Sequence, residues 1–301
     1  MAQIEYKDLL EAGVHFGHLT RKWDPRMAPY IFMEKNGIHI IDLNKTLASL
    51  DQASSAMRGI IRSGRKVMFV ATKKQAQEVV TTEAQRLKMP YVTERWLGGM
   101  LTNFATVRKS LKKLSSIEKL MKEDTFNSMA KRERLMITRE RDKLQRVLGG
   151  IADLTRLPAA LFVVDVKREH IAIAEAQKLG IPIFAMVDTN SNPDPIEYPI
   201  PANDDAYKSI AIVTLAVGKV IEEALMERKK DKDDQRLQEE EDTKRQVDRP
   251  ADSRPTEGRR RTGVRQTEEE TDTPDAPVAE AVVTQVPEAS EAEAEPVEKE
   301  D

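Results

Sequence analysis

The chain has 301 residues, with 48 Lys or Arg against 51 Asp or Glu, for a formal net charge of −3. It contains no cysteine, which excludes disulfides and thiol-based metal or catalytic sites and suits a reducing compartment. No apolar run approaches membrane-spanning length and the first residues include acids, so no signal peptide or membrane contact is expected and the chain is read as cytoplasmic.

Charge is unevenly distributed. Residues 1–230 hold 37 bases and 28 acids, an excess of nine positive charges, whereas residues 231–301 hold 11 and 23, an excess of twelve negative ones. The acidic part has no aromatic residue and is rich in Glu, Pro, Thr and Ala, so it cannot bury enough apolar surface to offset its chain entropy. Residues 227–301 are therefore expected to form a charged, disordered C-terminal extension of a folded domain at 1–226.

Along the chain, residues 6–12 predict a short helix stopped by Gly13. Residues 14–26 (VHFGHLTRKWDPR) then bring two imidazoles, three bases and two aromatic rings together, broken by glycine and proline. Such a loop offers cations to phosphates and rings to bases. Residues 29–33 and 38–43 flank Asn36 and Gly37, a pair that favours a tight hairpin turn. Asn44 is expected to cap a helix with Leu47, Leu50, Ala53 and Met57 on one face, ending at Gly64. A buried strand follows at 66–71. Lys73 and Lys74 at the next helix start are candidates for phosphate, because free backbone N–H groups and two cations favour an anion there. Residues 59–66 fail as a phosphate loop, since they lack Lys followed by Ser or Thr and precede a strand instead of following one.

Residues 91–93 form a short strand leading to residues 95–104 (RWLGGMLTNF) and a long basic arm. Its outgoing half spaces Val107, Leu111, Leu114, Ile117 and Met121 by three and four, and its return half does the same with Ile137, Leu144, Leu148 and Ile151. Turn residues at 123–128 separate the halves. The pattern predicts an inserted antiparallel coiled-coil hairpin over about 105–148, roughly 30 Å long. Residues 105–148 carry thirteen bases against six acids, more than a solvated coiled coil needs and suited to lying against phosphate. Trp96 suits either the core or RNA.

After the arm, strands are expected at 160–165 and 182–188 with a helix at 168–179 between them. Two such βα units predict a parallel sheet flanked by helices, an α/β fold. The proline-rich loop 189–203 leads into a final helix capped by Asp204 or Asp205. Strand-end Asp165 and Asp188 sit where parallel sheets bind ligands, yet no glycine-rich phosphate motif and no nucleophile with its base accompanies them, so no catalysis and no small-molecule substrate is expected. His18, Asp188, Asp204 and Asp205 are a candidate cation site, suited to zinc through nitrogen and oxygen or to magnesium through carboxylates. No cofactor is required by anything else in the sequence. The rivals to RNA binding are a nucleotide-binding protein on the same sheet and a protein-interaction module using the hairpin.

Residues 10–18 (LEAGVHFGH), 22–27 (KWDPRM), 36–43 (NGIHIIDL), 95–104, 188–194 (DTNSNPD) and 198–206 (YPIPANDDA) closely resemble the bacterial small-subunit ribosomal protein family S-two, over about the first 226 residues. The resemblance implies a flavodoxin-like, Rossmann-like α/β domain with a protruding hairpin, in the 30S subunit at the head–body junction on the solvent side. It implies binding to 16S ribosomal RNA, contacts with other 30S proteins, and docking of the mRNA-binding ribosomal protein S-one. RNA contact is carried onto His15, Arg21, Lys22, Trp23, Arg26, Arg95, Trp96, Asn103 and Arg108. Lys73, Lys74 and Lys109 join them as RNA-binding candidates. The acidic extension departs from the shorter family pattern.

Overall fold

The computed structural model describes residues 4–247, with the side chains of 125, 237 and 239–247 left aside. In chain order the elements are α1 (Tyr6–Glu11), β1 (Phe16–Leu19), β2 (Ile31–Lys35), β3 (Ile38–Ile41), α2 (Leu43–Arg62), β4 (Val67–Val70), α3 (Lys74–Leu87) and β5 (Tyr91–Val92). They continue as α4 (Phe104–Leu120), α5 (Asp124–Ser128), α6 (Lys131–Leu148), β6 (Ala160–Val164), α7 (His170–Lys178), β7 (Ile183–Val187), β8 (Tyr198–Pro201) and α8 (Tyr207–Val247). Two short 3-10 turns, Thr20–Lys22 and Pro25–Tyr30, connect β1 to β2. These elements belong to one unit, Met1–Asp248. The disorder expected beyond residue 247 lies outside the described residues.

Strands β4, β6 and β7 are continuous apolar runs because both faces of their sheet are covered. The sheet is wholly parallel, in the order β5-β4-β6-β7-β8. Strand alternation divides the core in two. Phe69, Phe162 and Phe184 face α2, α3 and α8 in one cluster, with Phe69 and Phe162 edge to face at 5.4 Å. Met68, Val70, Leu161, Val163, Ala185 and Val187 face α7 and the hairpin base in the other. A smaller antiparallel sheet, β1-β3-β2, is closed by the expected Asn36-Gly37 turn, both residues at positive φ.

Several boundaries differ from the sequence reading. Asp42 caps α2, accepting the Asn44 N–H at 3.0 Å, so Asn44 is already inside the helix. Asn203 accepts the N–H groups of Asp205 and Ala206 ahead of α8, in the capping role assigned to Asp204 or Asp205. The 189–203 segment contains β8, which tolerates Pro199 and Pro201 because it lies at the sheet edge. Helix α8 runs on to Val247, well past residue 226. Arg58 and Arg62 of α2 hold its continuation through Glu223, Glu227 and Asp231. Residues 227–247 are thus helical where disorder was expected.

The hairpin forms as the spacing predicts. Val107, Leu114, Ile117 and Leu148 are buried between α4 and α6, with Leu111 and Leu144 packed against them. Its root is held by one carboxylate. Glu175 of α7 accepts Trp96 Nε1 at 3.1 Å and the Gly99 N–H at 2.7 Å on Oε1, and the Leu101 N–H, Thr102 N–H and Thr102 hydroxyl at 2.9, 3.1 and 3.2 Å on Oε2. Trp96 is consequently a core residue, 7% exposed, and not an RNA-stacking ring.

Burial alone would raise the Glu175 carboxyl, but its backbone and indole donors outweigh that and hold it below its ordinary 4.5. A depressed carboxyl contributes its stability in full above the ordinary value and loses it as pH falls through the folded one. Glu175→Ala should lower unfolding free energy by about 3 kcal/mol, since five donors lose a charged acceptor. Glu175→Gln should flatten the acid limb of the stability curve. Urea melts between pH 2 and 7 check both.

Candidate nucleic-acid interface and its cation cluster

The N-terminal loop is fixed to the large sheet at the carboxyl end of β7. The His18 N–H donates to Thr189 Oγ1 at 2.8 Å, and the Asp24 N–H donates to the Thr189 carbonyl at 2.8 Å. Gly17 permits this approach, because a Cβ there would lie 2.6 Å from Thr189 Cγ2 and 2.9 Å from the His39 carbonyl oxygen. Met27 enters the same buried cluster as Trp96 and Met100, so this loop and the hairpin root share one apolar support.

On that support the predicted RNA residues sort by exposure. Arg21 and Lys22 lie exposed on a 3-10 turn, and Trp23 presents its ring to solvent over His39, centroids 5.0 Å apart. Arg26 is exposed and pairs with Asp194 at 3.1 Å, a surface contact that phosphate can displace. Lys74, Arg95, Asn103, Arg108 and Lys109 are exposed as well. His15 is half-buried against Phe16 at 4.0 Å, and burial lowers its pKa, which makes it a poor cation.

Lys73 is the clear departure from expectation. It is 8% exposed, and its Nζ lies 2.8 Å from Asp204, 2.5 Å from Asp205 and 3.4 Å from Asp165. Burial favours the neutral amine, but Asp204, Asp205 and Asp165 outweigh it and raise the Lys73 pKa above its ordinary value. Its ammonium is committed inside the protein and is not offered to phosphate. Nearby, the buried Glu169 accepts the Thr72 N–H at 2.8 Å and its hydroxyl at 2.5 Å. The crevice between β4 and β6, where a parallel sheet of this order changes direction, is therefore filled by the chain's own side chains.

The candidate cation residues do converge. His18 Nδ1 is 3.2 Å from Asp188 Oδ1, and His18 Nε2 is 3.2 Å from Asp205 Oδ2. One ligand atom each from His18, Asp188 and Asp204 lies within 4.8 Å of the others, while Asp205 stands outside that trio, on His18 and Lys73. Asp204 is pushed up to about 7 by burial first and then by the charges of Asp188 and Asp165, with Lys73 opposing. Its Oδ2 is buried and has no hydrogen-bond partner among the described residues. Four carboxylates thus face one ammonium and one imidazole, an arrangement short of positive charge.

The anchors were not visible to sequence reasoning as sites. Glu175 lies among Ala172, Ile173 and Ala176 on the buried stripe of α7, and an acid on an apolar stripe is the signal that was present. Lys73 gave none. No helix among the described residues is long and apolar enough to cross a membrane.

Comparison with known proteins matches residues 9–224 to the family described as Ribosomal protein S2. A relative from Cytophaga hutchinsonii, named Small ribosomal subunit protein uS2, is 73% identical over 82% of this chain and 97% of its own length. Proteins of the same name from Flavobacterium johnsoniae and Parabacteroides distasonis are 61% and 59% identical, over 77% and 80% of this chain and 91% and 86% of theirs.

His18 is raised by its hydrogen bond to Asp188, against burial, with Asp204 and Asp205 adding to the rise. A raised imidazole contributes stability in full below its ordinary 6.5 and loses it as pH climbs through the folded value. In chelator-treated protein, His18→Gln should cost about 1 kcal/mol at pH 6 and progressively less toward pH 9. Thermal melts across that range read the difference.

Proposed function

Because the chain belongs to the ribosomal protein S2 family, we propose that it is a structural constituent of the small (30S) ribosomal subunit, ribosome-bound in the cytoplasm, and not an enzyme. It binds 16S ribosomal RNA and other 30S proteins at the head–body junction on the solvent side. The family match over residues 9–224 carries this reading. Geometry supports it through exposed cations at Arg21, Lys22, Arg26, Lys74, Arg95, Arg108 and Lys109, with Trp23 available for stacking on a base. The self-filled crevice between β4 and β6 argues against a small-molecule substrate there. Docking of ribosomal protein S-one follows from the family resemblance alone.

Sedimentation of cell extract on sucrose gradients tests the reading. Co-migration with small subunits at moderate salt and release at high salt is expected, because each phosphate contact costs affinity as counterions accumulate. Sedimentation only with light soluble material would overturn it.

The cluster around Asp204 supports a second element, a bound cation held by His18, Asp188 and Asp204, with Asp205 adjoining. The buried, unpartnered Asp204 Oδ2 and the excess of carboxylates fit a metal. Imidazole with carboxylates suits zinc, and the carboxylates alone suit magnesium. Such an ion would tie the N-terminal loop to β7 and α8, with no catalytic part to play. Elemental analysis of purified protein should find about one ion per chain, lost in His18→Ala. Finding no stoichiometric ion in the unaltered protein would dismiss it.

A further inference from the structure

The two outward edges of the hairpin differ in chemistry. With about 100° of turn per residue, Val107, Leu114 and Ile117 face α6, and a ridge on one flank of α4, roughly a third of a turn from them, runs through Arg108, Lys112, Ser115 and Lys119 to Lys122 in the following turn. All five are exposed, and none forms an ion pair among the described residues. This ridge is about 21 Å long and interposes only a small hydroxyl residue between its cations. The same rotation places Lys113 on the other flank of α4, where it pairs with Glu140 of α6 and fixes how the helices are turned toward each other.

The outer edge of α6 is also basic, through Arg132, Arg139 and Arg146. It is mixed, however. Glu133, Glu140 and Asp142 lie on the same helix, against Glu118 alone on α4, and Leu135 and Met136 are 50% and 64% exposed. A polyanion gains from each cation and loses from each acid along its path, and it leaves exposed apolar side chains uncovered. Arg interleaved with Leu and Met suits a protein partner better.

Building on the ribosomal RNA reading, we propose that the α4 ridge is the face of the hairpin that lies along RNA phosphates, with the α6 edge turned away from RNA. Four cations along the ridge give the hairpin a salt-dependent grip of its own, separate from that of the N-terminal loop.

The test compares two triple variants of the full chain, Arg108→Gln/Lys112→Gln/Lys119→Gln on α4 and Arg132→Gln/Arg139→Gln/Arg146→Gln on α6. Both remove three charges and keep good helix formers. Circular dichroism and melting temperature first establish that both fold as the unaltered protein does. Rebinding to small subunits depleted of this protein is then measured from low to high salt. The α4 variant should reduce the log–log salt slope by about two to three, at 0.7 to 0.9 per phosphate contact, and the α6 variant should leave it unchanged. Equal losses in the two variants, a loss confined to the α6 variant, or no loss in either would overturn the assignment of the face while leaving the RNA reading in place. If the unaltered protein fails to bind subunits, the RNA reading falls and this inference with it.

Discussion

The hairpin depends on one buried carboxylate. A helical pair that leaves a sheet between β5 and β6 must interrupt the layer that covers that face, and the loop at its root exposes backbone N–H groups that a core cannot leave unpaired. Glu175 takes three of those backbone donors, together with the Trp96 indole and the Thr102 hydroxyl, on its two oxygens. Water would be a poor substitute, since it would bring one molecule per donor and no fixed direction. A carboxylate on α7 instead joins the loop to the helix already packed on β6 and β7. Trp96 and Met100 then close the apolar cluster beneath it.

A second concentration of charge lies at the carboxyl ends of the strands, where related architectures hold ligands. Here Lys73, Asp165, Asp204 and Asp205 meet one another, and Asp165 adopts a left-handed backbone at φ 71° to do so. Buried ion networks contribute little net stability, because desolvation offsets attraction, but they penalise misplacement strongly. The network therefore works as a register device. It holds β4, β6 and the start of α8 to one geometry, and through His18 it extends to the N-terminal loop. The strand ends here serve as a frame for exposed basic loops.

Much of this was legible in the sequence, for identifiable reasons. Val67–Val70, Ala160–Val164 and Ile183–Val187 read as strands because a sheet covered on both faces demands unbroken apolar runs. The hairpin read well because its stripes repeat at helical spacing. Strand β8 did not, since its prolines signal a loop unless the strand is known to be an edge. The length of α8 was hidden because its apolar periodicity stops near Ala224 while charged, helix-favouring residues carry it on against α2. Lys73 could not be distinguished from its neighbour Lys74. Adjacent lysines have identical local chemistry, and only the fold decides that one points into a nest of carboxylates and the other into solvent.

The geometry of the root bears directly on the reach of the arm. Helix α4 has 17 residues, which corresponds to a lever of about 25 Å. A tilt of about 10° at its base would carry the far end through about 4 Å, more than the length of a hydrogen bond. Long-range electrostatic attraction tolerates such an error, because it acts over about 8 to 10 Å at ordinary salt, but phosphate contacts made at hydrogen-bond distance do not. A basic arm that only recruited RNA would need no rigid base. The five-donor anchor at Glu175, sunk in the core beside Trp96, is the feature expected of an arm whose cations must arrive at fixed positions.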